Sequence, residues 1–485
     1  MRSTFKKLLC VLLACVMLAG TASAIVIPDG VKRVSCCMYG DGATGRGFCW
    51  FTAEKSASDL QLVKTADFTG DFADAKAYTG TATQYRSQYS HKVAVTDLEP
   101  GTAYTYRVGD AAQNKWSNAC TFVTDDQNDS FSFITIADVQ ASSDENFAHA
   151  ALTLKAAMET LPDAEFNVNL GDYVNDNTND EWDWYFGNFA FANEAMTHVP
   201  VAGNHDGNIT DKLNTFCFQN MFCLDESDNR SLEGVYYSFD YGNAHFAVLN
   251  TNDMYPMSQA QRNWLINDMS NSDAMWKIVL AHRSCYSAGK NINKPDTIIM
   301  REVLMPLFDR LDIDLVYAGH DHMYLRTTQV YGDKAVEGVE YVTETYKGEE
   351  TTFAVDPEGT VYALPSTAGT KRYDVNEDAI APILDVADVY FSTKGEYENG
   401  GGCFCTTEID GGRLVYKAYV VNDDTQEIKL VDSYAISKSA PGESKGTNRD
   451  QSAFSTVLTQ FANFIVALSG MILKYFKLLA QVIGN

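Results

Sequence analysis

Five times between residues 136 and 322 an apolar run stops at a short polar cluster, and this repetition constrains the fold more than any other feature of the chain. The clusters are Ile136-Ala137-Asp138-Val139-Gln140, Leu170-Gly171-Asp172-Tyr173, Gly203-Asn204-His205-Asp206, Ala281-His282-Arg283 and Gly319-His320-Asp321-His322. Apolar runs of roughly four to eight residues read as buried strands, and ligand-binding groups gather just beyond strand ends in α/β sheets. The strands expected on this basis are Phe131 to Ala137, Phe166 to Leu170, Val199 to Ala202, Trp276 to Ala281 and Leu315 to Ala318. Asn146 to Leu161 spaces Phe147, Ala151, Leu154 and Met158 as one face of a helix. Tyr236 to Asp240 and His245 to Asn250 pair around the Tyr241-Gly242-Asn243 turn.

The residue types in the clusters are those of a metal site. Carboxylate and amide oxygens suit hard cations, and imidazole completes the shell of borderline metals. Two ions about 3.5 Å apart can clamp an in-line displacement, provided one carboxylate bridges them and each ion has further ligands. Glycine before Asp, Asn or His lets the backbone approach such a site closely. Singly the clusters are weak, since Gly-Asp is more often a turn than a ligand. Gly-His-Asp-His is the most specific, because two imidazoles two residues apart on a loop rarely serve packing. Four of the eight histidines fall in the clusters: His205, His282, His320 and His322. His91, His149, His198 and His245 take the blander reading, with His245 as a satisfied core histidine inside a strand.

The rest of the chain divides around this central part. Residues 1–24 read as an export signal, with Arg2, Lys6 and Lys7 ahead of an apolar stretch and Ala22-Ser23-Ala24 at the cleavage point. That places the protein outside the cytoplasm, secreted or at the cell surface. Residues 25–127 read as an all-β sandwich with strands such as His91 to Val95 and Ala103 to Val108. The turn and strand from Leu98 to Val108 resemble the penultimate strand region of fibronectin type III-like domains. Residues 128–438 read as the α/β catalytic part, 439–452 as a linker, and 453–485 as an apolar, amphipathic helix. The segment 453–483 suits contact with a membrane surface or a partner helix, and spanning a bilayer or docking on the chain's own body remain alternatives. A net charge of -27, or -30 once the three positive residues of the signal are removed, excludes nucleic-acid binding by phosphate neutralisation. Of 11 cysteines, Cys10 and Cys15 lie in the signal, so the remainder is odd and at least one thiol is free or intermolecular. Cys217 and Cys223 are close enough to pair, and no cysteine is assigned to chemistry.

Taken in order, the five clusters resemble those of the calcineurin-like metallophosphoesterases, and within them the purple acid phosphatase branch. The resemblance covers nearly all of residues 29–438. It includes the leading sandwich, Tyr237-Ser238-Phe239-Asp240-Tyr241-Gly242 before His245, and the run from Gly319 through Met323, Tyr324 and Leu325 to Arg326. It also includes Asp356-Pro357-Glu358-Gly359-Thr360-Val361-Tyr362 followed by Gly369. It implies an α/β (α+β) sandwich of mixed β-sheets flanked by helices, behind a fibronectin type III-like domain. It implies an acid phosphatase-like monoesterase that uses two metal ions and a metal-activated hydroxide on a small phosphoester. Residue by residue, Asp172 matches the bridging carboxylate, Asp138 and His322 match ligands of the first metal, and Asn204, His282 and His320 match ligands of the second. His205 matches the outer-sphere histidine that contacts the phosphate and protonates the leaving group, and Asp206 would orient it.

The chain departs from that pattern at two positions. The wider superfamily closes the first motif with a histidine ligand, where this chain has Gln140. Purple acid phosphatases bind ferric iron through a tyrosine three residues after the bridging aspartate, where this chain has Asn175. Gln140 or Asn175 can offer an amide oxygen, and water can fill the rest. The expectation is no purple colour, a weaker ferric preference, and two ions drawn from manganese, iron, zinc or magnesium. A phosphodiesterase or nucleotidase on the same site is one alternative, and a surface adhesin with a decayed metal site is another. Trp182, Trp184 and Tyr286 could stack on a substrate ring, with packing the stronger reading.

Overall fold

The computed structural model describes residues 30–207, 216–225, 230–231, 234–252, 257–394 and 400–439. The expected export signal (1–24), nearly all of the expected linker and the expected helix (453–485) lie outside these residues. Among the described residues no helix is long and apolar enough to cross a membrane.

The first strands are β1 (Lys32–Met38) and β2 (Arg46–Thr52), an antiparallel pair continued by Gln88–Val95 and Thr81–Tyr85. A second sheet of Lys76–Thr79, Asp59–Lys64, Ala103–Asp110 and Lys115–Trp116 faces it, with Cys120–Val123 beside Ala103–Asp110. Val34, Phe48, Trp50, Leu60, Val93, Tyr106, Val108 and Phe122 fill the space between the two. This is the all-β sandwich, but one of its sheets does not close. Strand β1 pairs in parallel with Thr197–Pro200 of the following part through Cys37 and His198. The edge that each half would otherwise leave open is thereby covered by the other.

Beyond residue 129 the parallel strands are β3 (Ser130–Ile136), β4 (Phe166–Asn169) and β5 (Thr197–Pro200), with Phe133 opposite Phe166 and Phe166 opposite Thr197. Helix α1 (Asp144–Thr160) crosses from β3 to β4. It starts where the Ser143 side chain accepts from the Asn146 N–H, and Asp144 and Glu145 in its first turn complement the helix dipole. The expected strand at Val199 to Ala202 sits two residues earlier, at Thr197–Pro200, while Val201 and Ala202 stay buried beyond it and the Val201 N–H still donates to the Asn169 carbonyl at 3.0 Å. On the other side of β3 the sheet continues antiparallel through Gly401–Asp410, Arg413–Asn422 and Ile428–Ser437, then through Glu349–Val355, parallel to the last of these, and Glu340–Tyr346, giving twelve strands in all.

A seven-stranded sheet packs against this one. Its centre is β6 (Ala244–Val248), β7 (Trp276–Ala281), β8 (Leu315–Ala318) and β9 (Val361–Pro365), parallel throughout. Such strands are buried on both faces and so read as unbroken apolar runs. Phe133 meets Phe246 at 5.6 Å and Tyr317 at 6.3 Å between ring centroids, which joins the two sheets in one core. The outer face of the second sheet is covered by Gln259–Asn271 and by α2 (Pro295–Leu311), through Leu265, Met300, Leu304 and Phe308. The result is two mixed sheets between helices, and the loops after β3, β4, β5, β7 and β8 carry the five clusters. Trp182 and Tyr286 are fully buried and Trp184 lies against Phe147, so these aromatics pack.

Candidate metal centre

The loops after β3 and β4 are zipped together. The Asp138 N–H donates to the Gly171 carbonyl at 3.0 Å, and the Gln140 N–H donates to the Asp172 carbonyl at 2.8 Å. Asp138, Gln140 and Asp172 all stand at positive φ, at 52°, 36° and 52°, as does His320 at 75°. Side chains other than glycine rarely adopt this region, and its clustering here marks a site held in place by its surroundings.

Among the described residues two groups of three able to hold a metal ion result: Asp138, Asp172 and His322, and Asp172, His282 and His320. Asp172 belongs to both, the position a bridging carboxylate requires. His282 Nε2 lies 3.3 Å from Asp172 Oδ1 and 3.1 Å from Asn204 Oδ1, which brings the Asn204 amide oxygen to the second group. His322 Nε2 lies 3.5 Å from Asp138 Oδ1. The far nitrogens are also fixed. His282 Nδ1 donates to the Leu170 carbonyl at 2.8 Å, and His322 Nδ1 donates to the Lys371 carbonyl. A carbonyl only accepts, so each Nδ1 carries the proton and each Nε2 presents its lone pair to the site, the usual outer support of a metal-binding histidine.

The charges say the same. Burial, then the neighbouring Asp172, push the Asp138 carboxyl well above its usual range. Burial alone would raise Asp172 too, but the contacts of His282, then His205, hold it well below. Burial lowers His322 to about 3, and burial with His282 and Arg283 beside it lowers His320, so both imidazoles are neutral. Asp138, Asp172, Asp206 and Asp321 are all buried together around these neutral rings. Such a donor set suits cations, because buried carboxylates are stable when paired or coordinating. The residues present therefore fit a pair of metal ions.

His205 stands at the rim, its N–H donating to Asp172 Oδ1 at 2.7 Å and its Nδ1 to the Asn175 carbonyl at 2.5 Å. The sequence assigned the task of orienting it to Asp206. The carboxylate of Asp206 instead accepts from the N–H groups of Asp172 at 2.9 Å, Tyr173 at 2.8 Å and Gly203 at 2.8 Å, and so fixes the turn that carries the bridging aspartate.

Sequence reasoning missed the loop from Ser366 to Tyr373, of which it noted only Gly369. Thr367 Oγ1 donates to the Asp138 carbonyl at 2.6 Å, Lys371 holds His322, and the Tyr373 ring stacks on His322 at 4.4 Å. Tyr373 also faces an open cleft of about 470 Å³ shared with Lys290, Arg372 and Lys394. The available signal was position, since this loop follows β9 as the recognised clusters follow their strands. Arg283, in the fourth cluster, has no role legible in the sequence. Its Nη1 lies 2.7 Å from Asp296 Oδ2 and 3.4 Å from His320 Nε2. The end of the last motif is structural: Tyr324 and Arg326 both converge on Asp432, at 2.6 Å each, and tie the two sheets together.

Comparison with known proteins finds two family matches along the chain. Residues 33–124 match the family described as the N-terminal domain of purple acid phosphatases, and residues 131–324 match the calcineurin-like phosphoesterases. An uncharacterized protein of Mycobacterium tuberculosis is 26% identical over 295 residues, 54% of this chain and 54% of that protein. Fe(3+)-Zn(2+) purple acid phosphatase 12 of Arabidopsis thaliana is 23% identical over 317 residues, 62% of this chain and 66% of that one. The chain thus spans about half to two thirds of the length of these curated relatives. Among solved structures, a purple acid phosphatase from yellow lupin (Lupinus luteus) seeds superposes with a TM-score of 0.70 at 16% identity, over 86% of this chain and 76% of that one, a likeness of fold.

Proposed function

Since the chain belongs to the calcineurin-like phosphoesterases, on their purple acid phosphatase branch, we propose that it hydrolyses small phosphomonoesters at a two-metal centre, outside the cytoplasm. The observation that carries this reading is the sharing of Asp172 between two metal-binding groups. Asp138 and His322 would hold one ion, His282, His320 and Asn204 the other, and Asp172 both. Bound there, a metal pair supplies Lewis acidity toward the phosphoryl oxygens and a nucleophilic water at neutral pH. The chain's own groups do the rest. The Nδ1 proton of His205 is committed to the Asn175 carbonyl, so proton exchange with the leaving-group oxygen would run through Nε2. Asp206 keeps the Asp172 turn rigid while charge moves through the site. Export is supported by the signal pattern in residues 1–24.

The test uses purified chain loaded with manganese or zinc, elemental analysis, and a panel of aryl phosphate monoesters and diesters. We expect two ions per chain and turnover of monoesters above diesters. Asp172→Asn or His320→Ala should abolish turnover, since one residue of such a clamp is worth about two to three orders of magnitude in rate. Retention of more than about a tenth of the rate would overturn the assignment of the site. An empty site after loading would overturn the enzymatic reading altogether. Faster turnover of diesters would replace monoesterase by diesterase without moving the site.

A further inference from the structure

We infer that the side-chain oxygen of Gln140 is itself a ligand of the first metal, on the same ion as Asp138 and His322. The inference rests on the two-metal reading and goes beyond it, because it assigns the position where this chain departs from its family.

Gln140 is 5% exposed, and its Oε1 is buried without a hydrogen-bond partner among the described residues. A buried amide oxygen left unmatched is rare in native interiors and calls for a specific partner. Which end of the amide is unmatched follows from a chain of contacts. Asp176 Oδ2 only accepts, so the Asn175 group that meets it at 2.9 Å is the Nδ2 amide. Asn175 Oδ1 is then the end that faces Gln140, at 3.4 Å, and the Gln140 group facing it is Nε2. Oε1 is the end turned away from Asn175. The same contacts separate the two residues that could supply an amide oxygen. Asn175 uses its side chain to set Gln140 and its carbonyl to hold His205, which leaves Gln140 as the ligand.

Position supports the assignment. Gln140 lies two residues beyond Asp138, and its N–H donates to the carbonyl of Asp172, so it is fixed by backbone to both carboxylates of the first group. Its φ of 36° is unfavourable for a side chain larger than glycine, as is that of Asp138, and such conformations persist where the surroundings enforce them. Without Gln140 the first group has three protein ligands against four in the second, counting Asn204; with it the two are equal. A neutral amide oxygen adds no charge, in contrast to a tyrosinate, and so favours a divalent ion at the first position.

The test is metal binding, read apart from turnover. Wild-type protein, Gln140→Leu and Gln140→Glu are stripped with chelator and titrated with Mn²⁺, with free Mn²⁺ followed by electron paramagnetic resonance and the fold by circular dichroism. We expect two ions on the wild type, and on Gln140→Leu one ion at unchanged affinity and the other weakened by about 10–100-fold or more. We expect Gln140→Glu, which keeps the oxygen and adds charge, to bind the first ion at least as tightly as the wild type. Equal binding of both ions by wild type and Gln140→Leu would overturn the inference and leave the two-metal reading standing. Fewer than two ions on the wild type would overturn both. Should Gln140→Leu fail to fold, Gln140→Glu decides: weaker binding of the first ion overturns the inference.

Discussion

Gly171 gives the sharpest test of whether the two loops pack as closely as the site requires. It stands at φ +98°, outside the range that a side chain adopts without strain. A Cβ added there would lie 2.6 Å from Gly203 N, 2.7 Å from Gly203 Cα and 2.8 Å from His282 Nδ1. Ordinary contact begins near 3.4 Å, so the loop of Asn204 and the ring of His282 would each have to retreat by roughly 0.6–0.8 Å. Both carry ligands of the second ion, and the retreat pulls His282 Nδ1 from the Leu170 carbonyl. Backbone strain and overpacking together cost about 2–5 kcal/mol, and ligand displacement approaching 1 Å lowers kcat by about 10–100-fold. Gly187 is the matched control. It lies exposed in the helix Asn179–Asn188, where an added Cβ meets nothing within 4 Å, so Gly187→Ala should raise stability by about 0.5–1 kcal/mol and leave activity alone. The assay is thermal and urea unfolding of both variants, with metal content and aryl phosphate turnover. Gly171→Ala with wild-type stability, two ions and wild-type kcat would refute the packing described here.

Three further outcomes are expected. Asp432→Ala removes one of two carboxylates on the Arg326 guanidinium, which is 4% exposed in the side chain; Asp432 meets Nε and Nη2 while Asp388 stays on Nη1 at 2.8 Å, so urea unfolding should show a loss of about 1.5–3 kcal/mol. A loss below about 1 kcal/mol would mean that the pair does not join the sheets. His245 sits between Asp240 at 2.7 Å and Asp268 at 2.9 Å; burial by itself would lower its pKa, but these carboxylates raise it to about 9. Its contribution to stability is full below the unfolded value of about 6.5 and is lost as pH rises through 9, so melting temperature should fall from pH 7 to 10 in the wild type and less in Asp268→Asn. His198 has the opposite sign: burial lowers it to about 3, so stability should be lost as pH falls from about 6.5 toward 3, and a flat melting temperature over that range would contradict its neutral burial.

Much of this architecture is legible in the chain because its strands are buried on both faces. Trp276–Ala281 and Leu315–Ala318 coincide with the apolar runs that predict them, and the clusters follow directly. What escapes the sequence depends on contacts between distant segments. The pairing of β1 with β5 through Cys37 and His198 has no local signal, since either strand alone could be an edge. Asp206 reads as a partner for the adjacent His205, yet the carboxylate reaches back over thirty residues to the N–H groups of Asp172 and Tyr173. The blander reading of His245 as satisfied is correct in outcome, but it is satisfied by two carboxylates rather than by the core. Gly369 was visible as a motif residue, while its reason was not: no Cβ fits against the Val139 carbonyl.

The placement of the hydrogen-bond donors shows how the fold holds so many carboxylates in one place. Backbone N–H groups from the turns are given to carboxylate oxygens: three to Asp206, that of His205 to Asp172 and that of His320 to Asp138. These bonds orient the carboxylates, yet they do not neutralise them, and the imidazoles of His320 and His322 are kept uncharged by burial. The strained backbone at Asp138, Gln140, Asp172 and His320 is therefore spent on arranging lone pairs around two points with little positive charge of the protein's own. An arrangement of that kind gains its stability from cations, so metal binding should stabilise the fold by about 2.7 kcal/mol for each ion at a hundredfold excess over its Kd. The two ions need not contribute alike. The second group is complete in charged, imidazole and amide donors, whereas the first depends on Gln140, and differential loss of one ion on mild chelation would show that asymmetry directly.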